Sequence, residues 1–177
     1  MYNHYQNISP SNSKEAPWYS RGYLPHYDHN KMIQSITFRL DDSIAQTYLK
    51  QLEEELHSFP EEQRQLKRRI FIEEHMDLGM GSCALSKPVM AKVMEDALLK
   101  FDGDRYELIA WCIMPNHVHV LIVPKISLAK IVQSWKSYTG KWALAHNEEY
   151  SLGYSKNFKH FWKREYWDRY IRNEKHY

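Results

Sequence analysis

Apolar and polar positions change period several times along this chain, and each change marks an element. Residues 32–40 (Met-Ile-Gln-Ser-Ile-Thr-Phe-Arg-Leu) alternate as a half-buried strand. Asp41, Asp42 or Ser43 then offers a cap for a helix whose apolar positions are Ile44, Tyr48, Leu49, Leu52 and Leu56. Residues 60–74 are charged, compatible with a peripheral helix, and residues 76–85, with Gly79 and Gly81, read as a loop. Ser86 as N-cap and Pro88 in the first turn open a second helix with one stripe of Met90, Val93, Met94, Ala97, Leu98 and Phe101. Asp102-Gly-Asp104 ends it. Two apolar runs, residues 106–114 and 117–123, flank Pro115-Asn116, a turn dipeptide that cannot sit inside a strand. They are expected to pair antiparallel, because the link is too short for a crossover. Ser127 caps a further helix with Leu128, Ile131, Val132, Trp135, Thr139 and Trp142 on one side, and residues 147–157 form a loop. Residues 161–172 alternate in part, with Trp162, Arg164, Tyr166, Asp168 and Tyr170 on one face, and read as a last strand before the start of a helix. Residues 1–31 carry no period and read as a partly ordered arm. The order strand, helix, helix, strand, strand, helix, strand describes an α+β sandwich: one antiparallel sheet, helices packed on one face, the other face left open.

Composition narrows the class. A chain of 177 residues, 43% of them hydrophobic, is one domain with enough apolar surface for a core. No apolar run approaches the ~20 residues of a membrane span, and the N-terminus lacks the apolar region of a signal peptide. Cys83 and Cys112 build no disulfide framework, and Cys112 falls in an expected buried strand, so a reduced, cytoplasmic protein is expected. The formal charge of +2 hides an asymmetry: from residue 125 onward eleven Lys and Arg face five Asp and Glu, whereas the rest carries 13 against 17. A basic, aromatic-rich last third suits a polyanionic partner, although an ordinary solvated face has the same composition.

The second strand of the pair opens with His117-Val-His119. Strand side chains alternate, so both imidazoles share one face while Val118, Val120 and Ile122 take the other. Two neutral imidazoles on one rigid surface, next to a turn, can hold a divalent ion where substrate reaches it. Two surface histidines give the same pattern. A structural zinc site is a poor fit, because the cysteines lack paired spacing. A barrel-type metal hydrolase also starts from His-X-His on a strand, but that fold typically needs ~250 residues.

Four segments carry a resemblance: Trp18-Tyr-Ser-Arg-Gly-Tyr-Leu-Pro-His26, Ile36-Thr-Phe-Arg-Leu-Asp-Asp-Ser43, Met114-Pro-Asn-His-Val-His-Val-Leu121 and Trp167-Asp-Arg-Tyr-Ile-Arg172. Together they resemble the IS200-like single-tyrosine transposases, most closely the group associated with repetitive extragenic palindromes, over nearly the whole chain from Trp18. The resemblance implies a ferredoxin-like α+β domain over residues 32–177 and a possible homodimer, and the lack of a spanning apolar run adds the expectation of no membrane partner. It implies a His-hydrophobic-His nuclease in which His117 and His119 hold Mg²⁺ or Mn²⁺ and the ion polarises a scissile phosphate. A tyrosine then attacks phosphorus, leaving a 5′-phosphotyrosine and a free 3′-OH in single-stranded or hairpin DNA. For the DNA, the candidate phosphate contacts are Lys136, Lys159, Lys163, Arg164, Arg169 and Arg172, with Trp162 and Tyr166 as stacking platforms. In such proteins the nucleophile follows the Asp-Arg-x-Ile-Arg-Asn stretch on a C-terminal helix, which also helps complete the metal site. Aligning on residues 167–173 puts it beyond Tyr177, so the expectation is a truncated domain, with Tyr177 the weak candidate nucleophile and a catalytically inactive DNA-binding remnant the alternative reading.

Overall fold

The computed structural model of the chain describes residues 18–20, 25–27, 32–155 and 159–171. Within the expected arm, β1 (Trp18–Ser20) and β2 (Pro25–Tyr27) pair antiparallel. The main sheet consists of β3 (Gln34–Arg39), β4 (Tyr106–Ile113), β5 (His117–Pro124) and β6 (Trp167–Tyr170), in the spatial order β4-β5-β3-β6, all neighbours antiparallel. Helices α1 (Gln46–Leu56), α2 (Glu61–Asp77) and α3 (Pro88–Leu99) lie between β3 and β4, and α4 (Leu128–His146) lies between β5 and β6. The first sheet strand sits centrally between the third and the fourth. This is the ferredoxin-like βαββαβ order, within the α+β class.

The two strongest apolar stripes account for the main core. Met90, Met94, Ala97 and Leu98 of α3 and Leu128, Ile131, Val132 and Trp135 of α4 pack on Ile36, Phe38, Val118, Val120 and Ile122. A buried relay ties three elements together: Trp135 Nε1 donates to the Tyr106 hydroxyl (2.9 Å), which donates to the Leu98 carbonyl (2.6 Å). No helix among the described residues is long and apolar enough to cross a membrane.

The α1–α2 hairpin has its own smaller core of Ile44, Leu52, Leu56, Ile72 and Met76, against which Trp167 packs from β6. Trp167 stands opposite Thr37, on the sheet face away from Ile36 and Phe38. Part of the sheet face expected to be open is therefore roofed by these two helices. None of Asp41, Asp42 and Ser43 caps α1, whose N-cap is Ala45. Their side chains are used elsewhere: Ser43 Oγ accepts from Arg39 Nη1 (2.9 Å), and Asp42 Oδ2 accepts from Ser82 N (2.8 Å). The Asp42 contact needs Gly81, since a Cβ there would lie 2.4 Å from the Asp42 carbonyl oxygen at a φ of +86°.

Two expectations are corrected. The final strand runs only from Trp167, not from residue 161. Residues 161–166 form an irregular strap held by Asp41 N to Phe161 O (3.0 Å) and Lys163 N to Arg39 O (3.0 Å). Phe161, Trp162 and Tyr166 bury into the main core, and Trp162 closes to 3.3 Å from where a Cβ on Gly140 would stand. Cys112 is exposed rather than buried, because β4 is an edge strand and carries a bulge between Leu108 and Ala110.

Candidate functional site

The strand–turn–strand around Pro115-Asn116 forms as expected, and it sets the geometry of the site. In register across the sheet, Cys112, His119, Thr37 and Trp167 make one row, and Arg39 faces His117 in the next. Both histidines therefore stand on the face away from the main core. Their Nε2 atoms are 2.9 Å apart, with the rings perpendicular. His119 is exposed; His117 is buried (1% exposed) beside the end of α2, with its Nε2 turned toward His119.

Each ring is held from behind. The Asn116 amide donates from Nδ2 to the carbonyls of Met76 (3.1 Å) and Met80 (3.2 Å), which fixes its orientation. Its Oδ1 then accepts from His117 Nδ1 (2.8 Å), leaving a lone pair on His117 Nε2. His119 Nδ1 meets Thr37 Oγ1 at 2.9 Å. A hydroxyl donates or accepts, so Thr37 suits either tautomer of His119: the one that shares a proton with His117, and the one that turns both Nε2 lone pairs outward. Sequence reasoning missed both positioning residues. Asn116 was legible as a turn residue, but its amide contacts lie about 40 positions away; Thr37 was legible as facing away from Ile36, but not as the neighbour of His119.

The electrostatics favour neutral rings. Burial, then the neighbouring His119, lowers the His117 pKa from 6.5 to about 4, partly offset by Asp77. Burial also lowers His119, against the pull of Asp77 and Glu73 on α2. Neutral imidazole is the form that ligates metal. Two metal–nitrogen bonds of about 2.05 Å at a right angle end about 2.9 Å apart, so the observed spacing of the Nε2 atoms fits one ion. Among the described residues no cluster of three His, Cys, Asp or Glu side chains forms a complete ligand set.

Residues 86–175, which contain this strand pair, α3, α4 and β6, match the family described as IS200-like transposase. The chain belongs to the IS200-like transposase family. Among solved structures it is similar to a REP-associated tyrosine transposase bound to a REP hairpin, at 15% identity and a TM-score of 0.47, covering 87% of this chain and 64% of that one. The chain thus spans less than two thirds of the length of that protein. No curated protein matches it.

As a surface for the nucleic acid that IS200-like transposases act on, the basic third is split by the fold. Lys159, Arg164 and Arg169 are exposed, and Arg169 stands opposite Ser35 on the same sheet face as the histidines. Lys163 is partly buried and paired with Asp41 (3.4 Å). Lys136 is not placed to meet a phosphate: it donates to the carbonyls of Lys163 (2.5 Å) and Arg164 (2.7 Å), and burial lowers its pKa to about 8. Trp162 and Tyr166 are corrected from stacking platforms to packing residues, since their rings belong to the main core and Trp162 Nε1 donates to Thr139 Oγ1 (2.8 Å). Arg172 and Tyr177 lie outside the described residues.

Proposed function

We propose that the chain is a DNA strand-transferase domain that grips hairpin or single-stranded DNA and uses His117 and His119 to hold Mg²⁺ or Mn²⁺ at the scissile phosphate. The observation that carries this reading is the pair of converging Nε2 atoms, 2.9 Å apart, inside the segment that matches the family. A bound divalent ion supplies Lewis acidity toward a phosphoryl oxygen. The chain's own work is to keep the two rings neutral by burial, to fix the His117 tautomer through Asn116, and to let Thr37 follow His119. Exposed Arg169, on the histidine face of the sheet, and exposed Lys159 and Arg164, around the strap, offer charge to neutralise phosphates. The chemistry of this reading is a transesterification. A tyrosine Oη–P bond forms, the P–O3′ bond breaks, and the 3′ oxygen leaves with a proton; Tyr177 is the candidate nucleophile.

The test has three readouts. Mn²⁺ should stabilise the wild-type protein in thermal unfolding but not His117→Ala or His119→Ala. Hairpin DNA with single-stranded flanks should bind with a steep salt dependence. Incubation with Mn²⁺ should then give a protein–DNA adduct on a denaturing gel. Binding and metal response without an adduct would leave a DNA-binding domain that does not cut. Loss of both would overturn the reading.

A further inference from the structure

A cavity of about 420 Å³ lies between the sheet and the α1–α2 hairpin, within the size range of small-ligand sites, about 300–1,000 Å³. Its floor is Thr37 and Trp167, two members of the row that contains His119. Leu49 of α1 and Ile72 of α2 wall it with apolar surface. Its rim carries charge of both signs. Arg68 pairs with Glu53 (2.5 Å), Lys163 with Asp41 (3.4 Å), and the Arg39 guanidinium donates to Ser43 Oγ and to the Leu40 carbonyl. Because Thr37 touches His119, the cavity begins one strand over from the histidine pair, about 4.8 Å across the sheet.

We propose that this cavity receives one unpaired nucleobase of the DNA strand, the base next to the phosphate held at the histidines. The inference rests on the DNA reading above and extends it to a specificity-determining site. The chemistry matches on each side. A base is a flat ring with apolar faces, which suits a slot floored by an indole and walled by leucine and isoleucine. Its edge both donates and accepts, which suits a rim of guanidinium and carboxylate groups; a free anion would meet Glu53 and Glu165, and an aliphatic chain would leave those charges facing it. The base also brings a phosphate, and exposed Arg169 stands two residues along β6 from Trp167 on the same face. A sequence-reading pocket here would be walled by the α1–α2 hairpin, all of which precedes the residues that match the family.

The experiment uses the full chain without divalent metal, so that binding is read apart from cutting. Fluorescence anisotropy is measured on hairpin DNA with single-stranded flanks, in a series where each flank nucleotide in turn is made abasic. One position, or two adjacent ones, should lose about tenfold in affinity, the size expected for one stacked base. Trp167→Ala should weaken binding of intact DNA by a similar factor and remove the abasic penalty at that position, whereas Trp167→Phe should keep it. Trp167 also packs against the hairpin core, so Leu49→Trp, which fills the cavity from the opposite wall, provides a second route and should remove the same penalty. Abasic penalties that stay the same in Trp167→Ala and Leu49→Trp, or that are equal at every flank position, overturn the base-pocket proposal while leaving DNA binding intact. Failure of intact hairpin DNA to bind at all overturns the DNA reading itself.

Discussion

Asn116 links three things with one amide: the Met76 carbonyl in the last turn of α2, the Met80 carbonyl just beyond it and the back of the His117 ring. Asn116→Ala should therefore act twice. It leaves buried polar groups unpaired, which costs about 1–3 kcal/mol in denaturant unfolding. It also frees the His117 ring, which should weaken Mn²⁺ binding about 10–100-fold by titration calorimetry. Thr37→Val keeps the shape and removes only the hydroxyl, so the metal effect should appear with little change in stability; equal effects of the two variants on stability would contradict these roles. The low pKa of His117 sets a second expectation. Above about pH 6.5 the ring is neutral in both folded and unfolded chains, and its contribution to stability is complete. As pH falls below that value the unfolded chain takes up a proton that the folded chain refuses, so stability declines until about pH 4, where the folded ring is protonated too. The loss should be on the order of 1–2 kcal/mol once solvent screening is discounted. It is measured as the steeper fall in unfolding free energy from pH 7 to 4.5 for wild type than for His117→Gln. For metal binding the sign is the same: Mn²⁺ affinity should persist below the pH at which an unperturbed histidine pair would lose it.

Among the elements, the strap of residues 161–166 separates structural cations from interactive ones. Lys136→Ala removes the ammonium that joins α4 to the strap carbonyls and should destabilise the fold by about 1–3 kcal/mol. Arg164→Ala should leave stability within about 0.5 kcal/mol but lower the salt slope of DNA binding by about 0.9. If both variants change the slope alike, Lys136 leaves its carbonyls on binding and the clamp is not structural. The same strap shows where sequence stops being informative. Its alternation of aromatic and charged residues is the signature of a strand, yet Phe161, Trp162 and Tyr166 bury against α4 while no continuous ladder forms until Trp167. Local pattern reports which side chains are amphipathic, not which neighbour receives them. By contrast, the β4–β5 pair was legible in full outline, because Pro115-Asn116 forces a turn and the period-2 pattern fixes which face His117 and His119 take. The roof over part of that face was not. Helix α2 buries only Ile72 and Met76 among 17 residues, so its sequence gives almost no sign of a packed side.

Across the whole molecule, charge and topology point to different stages of the protein's life. The last third carries a net +6, and among its described cations the fold exposes Lys125, Lys130, Lys141, Lys159, Arg164 and Arg169 and partly buries Lys136 and Lys163. The sheet order decides something else. Strand β3 is central, and both of its partners come late: Ile36 pairs with Val120, 84 residues on, and with Asp168, 132 residues on. At synthesis rates of about 5–20 residues per second, the apolar Ile36, Phe38 and Leu40 wait roughly 4–17 s after emerging before their first partner strand exists. The α1–α2 hairpin likewise lacks one of its packing partners, Trp167, until β6 is made. The strand that carries Thr37 is thus the first of the main sheet to be made and the last to be sandwiched. Closure of long loops, rather than local helix formation, limits assembly of this sheet, and a nascent chain stalled before residue 117 lacks both described partner strands of β3 and so holds an unpaired, aggregation-prone edge.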